Sequence, residues 1–264
     1  MSDPVLRVER LTAGFDRGGL FLPAITDISF QLTAGETLCL VGESGSGKST
    51  AALATINLLP PGARIISGSI ALRGRELTTL SDREMQRIRG AEIGFVFQEP
   101  MTALHPVFTI GRQIEETLLV HGRADRRTAR PQAIALLTSV AIPDPQRRID
   151  AYPHQLSGGL RQRVLIALAL ACTPRVLIAD EPTSALDVTI QAEILDLLRD
   201  LRQRLGLALL LITHDLGVVA EMADRVAVMR AGQIVEEAPV QELFTSPAHP
   251  YTRELLAATP GRRP

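Results

Sequence analysis

The chain is poor in several residue types, and each shortage limits what the protein can be. Lys48 is the only lysine among 28 lysine and arginine residues, tryptophan is absent, and a net charge of −1 gives no basic field for nucleic acid. Cys39 and Cys172 are the only cysteines and stand in apolar surroundings, which predicts buried, reduced thiols rather than a disulfide framework. The longest apolar run, Val164–Cys172, is far shorter than the roughly 20 residues that cross a bilayer. The first residues show no signal-peptide pattern. We therefore expect a cytoplasmic protein that reaches a membrane only through a partner.

The single lysine stands in a stretch rich in glycine and serine. This stretch consists of Gly42, Glu43, Ser44, Gly45, Ser46, Gly47, Lys48, Ser49 and Thr50. It follows Glu36–Val41, which suits a buried strand, and it precedes the helix formers of Ala51–Leu59. A glycine loop between a strand and a helix can point several backbone N–H groups at one phosphate, and the helix N-terminus adds positive charge. Lys48 would reach the outer phosphates and Ser49 would offer a hydroxyl to Mg²⁺. The stretch predicts a phosphate-binding loop rather than a turn that happens to contain lysine.

Local patterning predicts an α/β protein with a helical insertion. Further strands are predicted at Val5–Leu11, Ile25–Leu32, Ser67–Leu72, Ile93–Phe97, Val176–Ala179, Ala208–Ile212, Val226–Met229 and Ile234–Glu237. Further helices are predicted at Asp82–Arg89, Ile110–His121, Ala129–Ala141, Arg147–Tyr152, Leu160–Cys172, Ile190–Arg204, Leu216–Met222 and Tyr251–Ala258. Between Glu99 and about Gln155 the strand-like runs disappear, so this part is expected to form an inserted helical subdomain. The first strands are expected to pair antiparallel.

Polar side chains follow several of the predicted strands. Gln98, Asp180, Glu181 and His214 each come at or just after the end of a strand. In an open α/β sheet, ligands bind outside the carboxyl ends of the strands. Asp180 would hold Mg²⁺, Glu181 the attacking water, Gln98 the metal or the water, and His214 the terminal phosphate. Taken singly, these residues also suit a turn, a surface amide and a helix cap.

A second helix start also offers an anion site. Leu156 is followed by Ser157, Gly158 and Gly159, whose hydroxyl and N–H groups can bind phosphate, although Ser157 also suits an ordinary N-cap. Because the chain has two such helix starts and one lysine, we expect two protomers to pair head to tail. The loop of one protomer and Ser157 of the other would then contact the same nucleotide.

These residues together resemble an ATP-binding cassette ATPase over nearly the whole chain. The matching motifs are Walker A at Gly42–Thr50, the Q-loop at Gln98, the signature at Leu156–Arg163, Walker B at Val176–Glu181, the D-loop at Ser184–Asp187 and the switch histidine at His214. The resemblance implies an α/β P-loop NTPase (RecA-like) core with an N-terminal antiparallel β subdomain and an inserted α-helical subdomain. The implied core is 1–98 and 165–235, the helical subdomain 99–164 and a C-terminal tail 236–264. By position Phe15 would stack on adenine, and core packing is the alternative.

A narrower resemblance is to the peptide/nickel uptake branch. It is carried by Gln98–Pro106 and His249–Leu256, and His105 departs from the asparagine usual in that branch. It implies ATP and Mg²⁺ as cofactors and catalysis by Glu181, His214 and Gln98. It also implies a second ATPase subunit (identical or different), two membrane permeases and an external binding protein, at the cytoplasmic face of a bacterial inner membrane. Longer members carry cysteines for an iron–sulfur cluster past the tail, and none is expected here.

Several alternative functions stay open at this point. We expect the transported substrate to be a di- or oligopeptide, and nickel or a metal chelate is the alternative. A soluble cassette ATPase of repair or translation is disfavoured by the uptake-branch tail. A non-hydrolysing scaffold is disfavoured by Glu181 and His214, and a P-loop kinase would not need Leu156–Gly159.

Overall fold

The computed structural model describes residues 3–184 and 186–258. Ala185, which belongs to the predicted D-loop, and residues 259–264 of the predicted tail lie outside this description. The chain forms two compact units, the first made of Met1–Met85 and Ala208–Pro264 and the second of Gln86–Leu207.

Three strands open the chain, and a run of helices lies between the sixth strand and the seventh. The strands are β1 Leu6–Arg17, β2 Leu20–Leu32, β3 Thr37–Val41, β4 Ala63–Leu72, β5 Arg75–Glu76, β6 Ile93–Val96, β7 Val176–Asp180, β8 Ala208–Ile212, β9 Arg225–Arg230 and β10 Gln233–Pro239. The helices are α1 Lys48–Thr55, α2 Asp82–Ile88, α3 Pro100–Ala103, α4 Ile110–Val120, α5 Ala129–Ser139, α6 Pro145–Arg148, α7 Gly158–Leu170, α8 Val188–Leu205, α9 Leu216–Met222, α10 Val240–Thr245 and α11 Pro250–Ala257. A 3₁₀ turn, Pro153–Gln155, precedes α7.

The first unit contains two sets of paired strands. β2, β1, β4 and β5 form an antiparallel sheet in that order, as predicted for the start of the chain. β3 pairs in parallel with β8 on one side and with β9 on the other, and β10 pairs antiparallel with β9. Every residue of β3 and β8 is buried. Parallel strands covered on both faces are built from continuous apolar runs, which is why the sequence identified them.

The β1–β2 hairpin is longer than predicted. β1 continues to Arg17 and β2 starts at Leu20, whereas the sequence predicted strands that end at Leu11 and begin at Ile25. The pairing between these strands shifts register three times after Val8. Each bulge breaks the alternation of apolar and polar residues, so the local pattern fades although the pairing continues.

The helix after the glycine loop begins and ends earlier than predicted. α1 spans Lys48–Thr55 instead of Ala51–Leu59, so its first residue is the lysine itself. Asn57, two residues past its end, has a φ of 49°, the left-handed conformation that interrupts a helix.

In the second unit β6 and β7 pair in parallel, α7 packs on β6, and α4 and α5 pack on α7. A Cβ on Gly94 of β6 would lie 2.3 Å from the carbonyl oxygen of Ala169 in α7, so only glycine permits this approach.

The predicted helix Arg147–Tyr152 is wrong, because α6 ends at Arg148. Tyr152 is extended because proline follows it, and a residue before proline avoids the helical region.

Candidate active site

The glycine loop leaves β3 and enters α1 with three of its glycines at positive φ. Gly42, Gly45 and Gly47 have φ values of 150°, 80° and 102°. Gly47 is the N-cap residue of α1, and as a glycine it has no side chain with which to cap the helix. The N-terminus of α1 therefore presents backbone N–H groups and a partial positive charge at the loop, as an anion site requires.

Lys48 is held against the beginning of the loop. Its side chain is 6 % exposed, and its Nζ donates hydrogen bonds to the carbonyl oxygens of Gly42 at 2.8 Å and Glu43 at 2.9 Å. A buried ammonium is stabilised only when such partners satisfy it. These two carbonyls thus hold in place the Lys48 ammonium, the positive charge that the sequence predicted for phosphate binding.

Ser46 supplies a test of whether phosphate fits the loop. Its Oγ is buried and has no hydrogen-bond partner within the part of the chain that the structure describes. A buried hydroxyl without a partner costs about 1–3 kcal/mol. A phosphate oxygen would accept this hydroxyl, and a Cβ added at Gly45 would meet nothing within 4 Å. The loop therefore has both the open approach and the donor that a phosphate group needs.

The β9–β10 hairpin supports the loop from behind. The backbone N–H of Gly232 donates to the carbonyl oxygen of Ser46 at 3.0 Å, and the carbonyl of Gly232 accepts from Thr26 N–H at 2.8 Å. A Cβ at Gly42 would lie 2.2 Å from the carbonyl oxygen of Met229, so only glycine fits there. The position of the loop is set by strands far from it in sequence.

His214 and Phe15 belong to the same unit as the loop. Leu40 pairs with Ile212 across β3 and β8, so His214, two residues further on, follows the strand next to the one that enters the loop. The imidazole is exposed, and Asp215 caps α9 by accepting from Gly217 N–H at 2.8 Å. Phe15 is half-buried on β1, opposite Leu22 and Ala63.

The second unit brings Gln98 and Glu181 together. Gln98 follows β6 and Glu181 follows β7, so the parallel pairing places both at one edge. The Gln98 Nε2 donates to the Glu181 Oε2 at 3.0 Å. Asp180, the last residue of β7, is 7 % exposed. An amide and two carboxylates at adjoining strand ends are the donor set that the sequence predicted for metal and water.

Ser157 begins α7 with its side chain exposed. Its Oγ accepts from Leu160 N–H at 3.4 Å, so the serine is an N-cap, the alternative that the sequence left open. The cap and an anion site are compatible, because the N–H groups of the first turn still point away from the helix. A Cβ on Gly159 would lie 2.6 Å from the Ile190 Cγ2, so this glycine also lets α7 pack beside α8.

This chain matches two models of known protein families. A model described as "ABC transporter" matches residues 25–184, more than half of the chain. The chain belongs to the ABC transporter family. A second model, described as the C-terminal region of oligopeptide/dipeptide transporters, matches residues 235–264 of this ABC chain.

Relatives and solved structures agree with this assignment. The "Probable peptide ABC transporter ATP-binding protein y4tR" of Sinorhizobium fredii is 51 % identical over 263 residues, which cover 99 % of this chain and 78 % of that protein. The "Oligopeptide transport ATP-binding protein OppD" of Bacillus subtilis is 51 % identical over 97 % of this chain and 72 % of its own length. A dimeric post-hydrolysis structure of the ATP-binding cassette MJ0796, bound to ADP and Pi, superimposes with a TM-score of 0.79 at 30 % identity and covers 89 % of this chain and 98 % of its own. The predicted fold class, an α/β P-loop NTPase, is confirmed, and the chain is an ATP-hydrolysing transporter subunit.

Three further properties of this ABC subunit bear on the sequence predictions. Both cysteines are buried and free of disulfides, as predicted, and burial raises the pKa of each thiol. Over residues 3–184 and 186–258, no helix is both long and apolar enough to cross a membrane. In the same ranges no three His, Cys, Asp or Glu side chains group as metal ligands.

Sequence reasoning missed the residues that hold the ABC phosphate loop from outside. Met229 and Gly232 have no local motif, and only the turn at Ala231-Gly232 signalled a hairpin. Tyr251 was noted in the tail, but nothing in the sequence indicated that its hydroxyl accepts the backbone N–H of Glu43 at 3.3 Å.

Proposed function

We propose that this chain powers the import of di- or oligopeptides by hydrolysing ATP. The observation that carries the proposal is the presence on one chain of the ABC transporter match and, after it, the oligopeptide/dipeptide transporter match at 235–264. The names of the relatives from S. fredii and B. subtilis point the same way.

Nucleotide binding is assigned to the first unit. The N–H groups of residues 42–50 and the Ser46 hydroxyl would bind phosphate oxygens, and Lys48 would contact the outer phosphates. Phe15, exposed in part on β1, would stack on adenine. The buried Ser46 hydroxyl has no partner among the described residues, and it supports this assignment because phosphate would satisfy it.

Metal binding is assigned to oxygen donors. Ser49, Asp180 and Gln98 supply a hydroxyl, a carboxylate and an amide, which are the hard ligands that Mg²⁺ prefers. Bound Mg²⁺ would neutralise charge on the outer phosphates.

Catalysis is assigned to Glu181, Gln98 and His214. The Glu181 carboxylate would accept a hydrogen bond from the attacking water and orient it in line with the terminal phosphate. The Gln98 amide fixes the rotamer of that carboxylate through their 3.0 Å hydrogen bond. The exposed His214 would donate to the terminal phosphate. Catalysis of this kind depends on positioning and charge stabilisation.

The proposed assembly has two ATPase subunits, the second identical or different. Ser157, Gly158 and Gly159 of one subunit would bind the nucleotide held by the other. Two permeases in the inner membrane and an external binding protein would complete the importer, with this chain on the cytoplasmic face. We assign 1–98 and 165–235 to the core, 99–164 to the helical subdomain that carries the signature, and 236–264 to the tail.

Lys48→Ala tests the proposal. In cells that lack the native gene, the wild-type chain should restore uptake of a labelled tripeptide, and Lys48→Ala should not, because the outer phosphates lose their ammonium. ATP turnover of the purified assembly should fall at least about 100-fold, as for other transition-state charge donors.

Arg83→Ala is the matched control, since it removes one exposed positive charge from α2 in the same unit. It should support normal uptake. If the chain restored uptake of nickel but not of the tripeptide, the peptide assignment would be contradicted. Normal ATP turnover by Lys48→Ala would contradict the assignment of residues 42–50 as a phosphate-binding loop.

A further inference from the structure

The C-terminal segment reaches back to the phosphate loop through one tyrosine. The Oη of Tyr251, in α11, accepts a hydrogen bond from the backbone N–H of Glu43 at 3.3 Å. Both residues belong to the first unit, although 208 positions separate them. Tyr251 is 3 % exposed, so its hydroxyl must find a partner inside the protein.

The ring of Tyr251 is fixed independently of its hydroxyl. The guanidinium of Arg230, at the end of β9, lies over the ring with its carbon 4.7 Å from the centroid. A cation–π contact of this kind survives when the hydroxyl is removed. The Nδ1 of His249 accepts the backbone N–H of Tyr251 at 3.1 Å and caps α11.

The segment before α11 is anchored to β10. The Glu236 carboxylate accepts the backbone N–H groups of Ala248 at 2.8 Å and His249 at 2.9 Å. Burial alone would raise the pKa of Glu236, but the hydrogen bonds from these two N–H groups and the nearby His249 hold that pKa below its ordinary value. The anchor is therefore a carboxylate at neutral pH.

The hydrogen bond from Glu43 acts on the same peptide group that holds Lys48. The peptide between Gly42 and Glu43 contributes the Gly42 carbonyl, which accepts from the Lys48 Nζ at 2.8 Å, and the Glu43 N–H, which donates to Tyr251. In a trans peptide these two groups point in opposite directions. The peptide plane is thus held on one side by the ammonium and on the other by the hydroxyl.

We infer that Tyr251 is a positioning residue for the phosphate loop: by accepting the Glu43 N–H, its hydroxyl orients peptide 42–43 and so places the Lys48 ammonium. The inference rests on the proposed role of Lys48 in ATP binding. The inference means that the segment after β10 contributes to nucleotide affinity. If peptide 42–43 rotated, the Gly42 carbonyl would turn away from the Lys48 ammonium that it accepts a hydrogen bond from.

Tyr251→Phe removes the hydroxyl and keeps the ring over which Arg230 lies. Tyr152→Phe is the matched control, because the chain has two tyrosines and Tyr152 is 39 % exposed in the other unit. Calorimetric titration with ADP, without turnover, should show a dissociation constant about two- to tenfold higher in Tyr251→Phe than in Tyr152→Phe, which is the usual range for one lost hydrogen bond. The KM for ATP should rise by a similar factor while kcat changes less.

A second measurement uses no nucleotide. The Glu43 amide should exchange its hydrogen faster in Tyr251→Phe than in Tyr152→Phe, while amides of β3 and β8 keep their protection. Faster exchange throughout the first unit would show a merely structural role and overturn the inference, as would equal ADP affinity and equal Glu43 exchange in the two variants. If Lys48→Ala loses ADP binding and Tyr251→Phe does not, only this inference fails; if Lys48→Ala binds ADP normally, the proposed function fails first.

Discussion

Glu181 carries its carboxylate on a backbone that glutamate rarely adopts. Its φ is 45°, in the left-handed region, which costs an L-residue about 1–2 kcal/mol. The N–H and the Oγ of Ser184 both donate to the Glu181 carbonyl, at 3.1 and 2.9 Å, and hold this conformation. Strain that the surroundings maintain is typical of functional positions. In this conformation the carboxylate accepts from the Gln98 amide.

Glu181→Gln is expected to block hydrolysis without loosening the site. The variant keeps the oxygen that accepts from the Gln98 Nε2 but loses the charge that orients water. ATP should bind within about twofold of wild type, and turnover should fall at least about 100-fold. Rapid-mixing phosphate release and retention of labelled ATP on the assembly would measure the two effects.

Glu116→Gln serves as the control for charge removal, since Glu116 is an exposed carboxylate on α4 in the same unit. Its turnover should match wild type. Unchanged hydrolysis by Glu181→Gln would remove the catalytic role assigned to this residue.

At the scale of elements, the sequence predicted best what local composition determines. β3, β7 and β8 consist mostly of consecutive apolar residues, and each lies where predicted to within a residue. The β1–β2 hairpin was predicted too short because bulges interrupt its alternation. The ends of α1 and α6 were also missed, because neither the left-handed Asn57 after α1 nor the end of α6 at Arg148 leaves a periodic signal in a single sequence.

Two adjacent glycines of the signature show how motif and packing overlap. A Cβ at Gly158 would meet the Leu186 Cδ2 at 3.4 Å, an ordinary contact, whereas one at Gly159 would approach the Ile190 Cγ2 to 2.6 Å. The sequence indicated only that both could expose N–H groups to an anion. The structure adds that Gly159 sets the distance between α7 and α8.

Gly159→Ala should destabilise the protein, and Gly158→Ala should not. Ile190 is β-branched and cannot easily move its Cγ2, so the clash should cost about 1–3 kcal/mol. Urea unfolding followed by circular dichroism, suited to a chain without tryptophan, gives the difference. If the two variants unfolded at the same urea midpoint, α8 could move aside without cost and Gly159 would have no packing role.

At the scale of the whole molecule, the sequence predicted the motifs and missed what supports them. Lys48, Asp180 and Glu181 could be predicted as site residues because their spacing and flanking strands make them recognisable. The sequence indicated no role for Tyr251, because a hydrogen bond between residues 208 positions apart follows no recognisable spacing. Support of this kind becomes visible only when the chain is folded.

The remaining question at this scale is how many chains complete one site. Ser157 begins α7 in the second unit with an exposed side chain, and its hydroxyl caps its own helix. The solved cassette MJ0796 is dimeric. If the site is shared, a substitution at Ser157 should disturb the nucleotide held by the partner chain and should leave nucleotide binding by the same chain unchanged.

Ser157→Arg is expected to separate binding from hydrolysis. The isolated chain should bind ADP within about twofold of wild type, because its own phosphate loop is untouched. In the assembly, turnover should fall at least about tenfold, because a bulky side chain would displace the partner's phosphate from the N–H groups of α7. Ser157→Thr retains a capping hydroxyl and should keep most of the turnover. Calorimetry on the isolated chain measures ADP binding, and phosphate release by the assembly measures turnover. Loss of ADP binding by the isolated Ser157→Arg chain would mean that one protomer encloses its nucleotide alone.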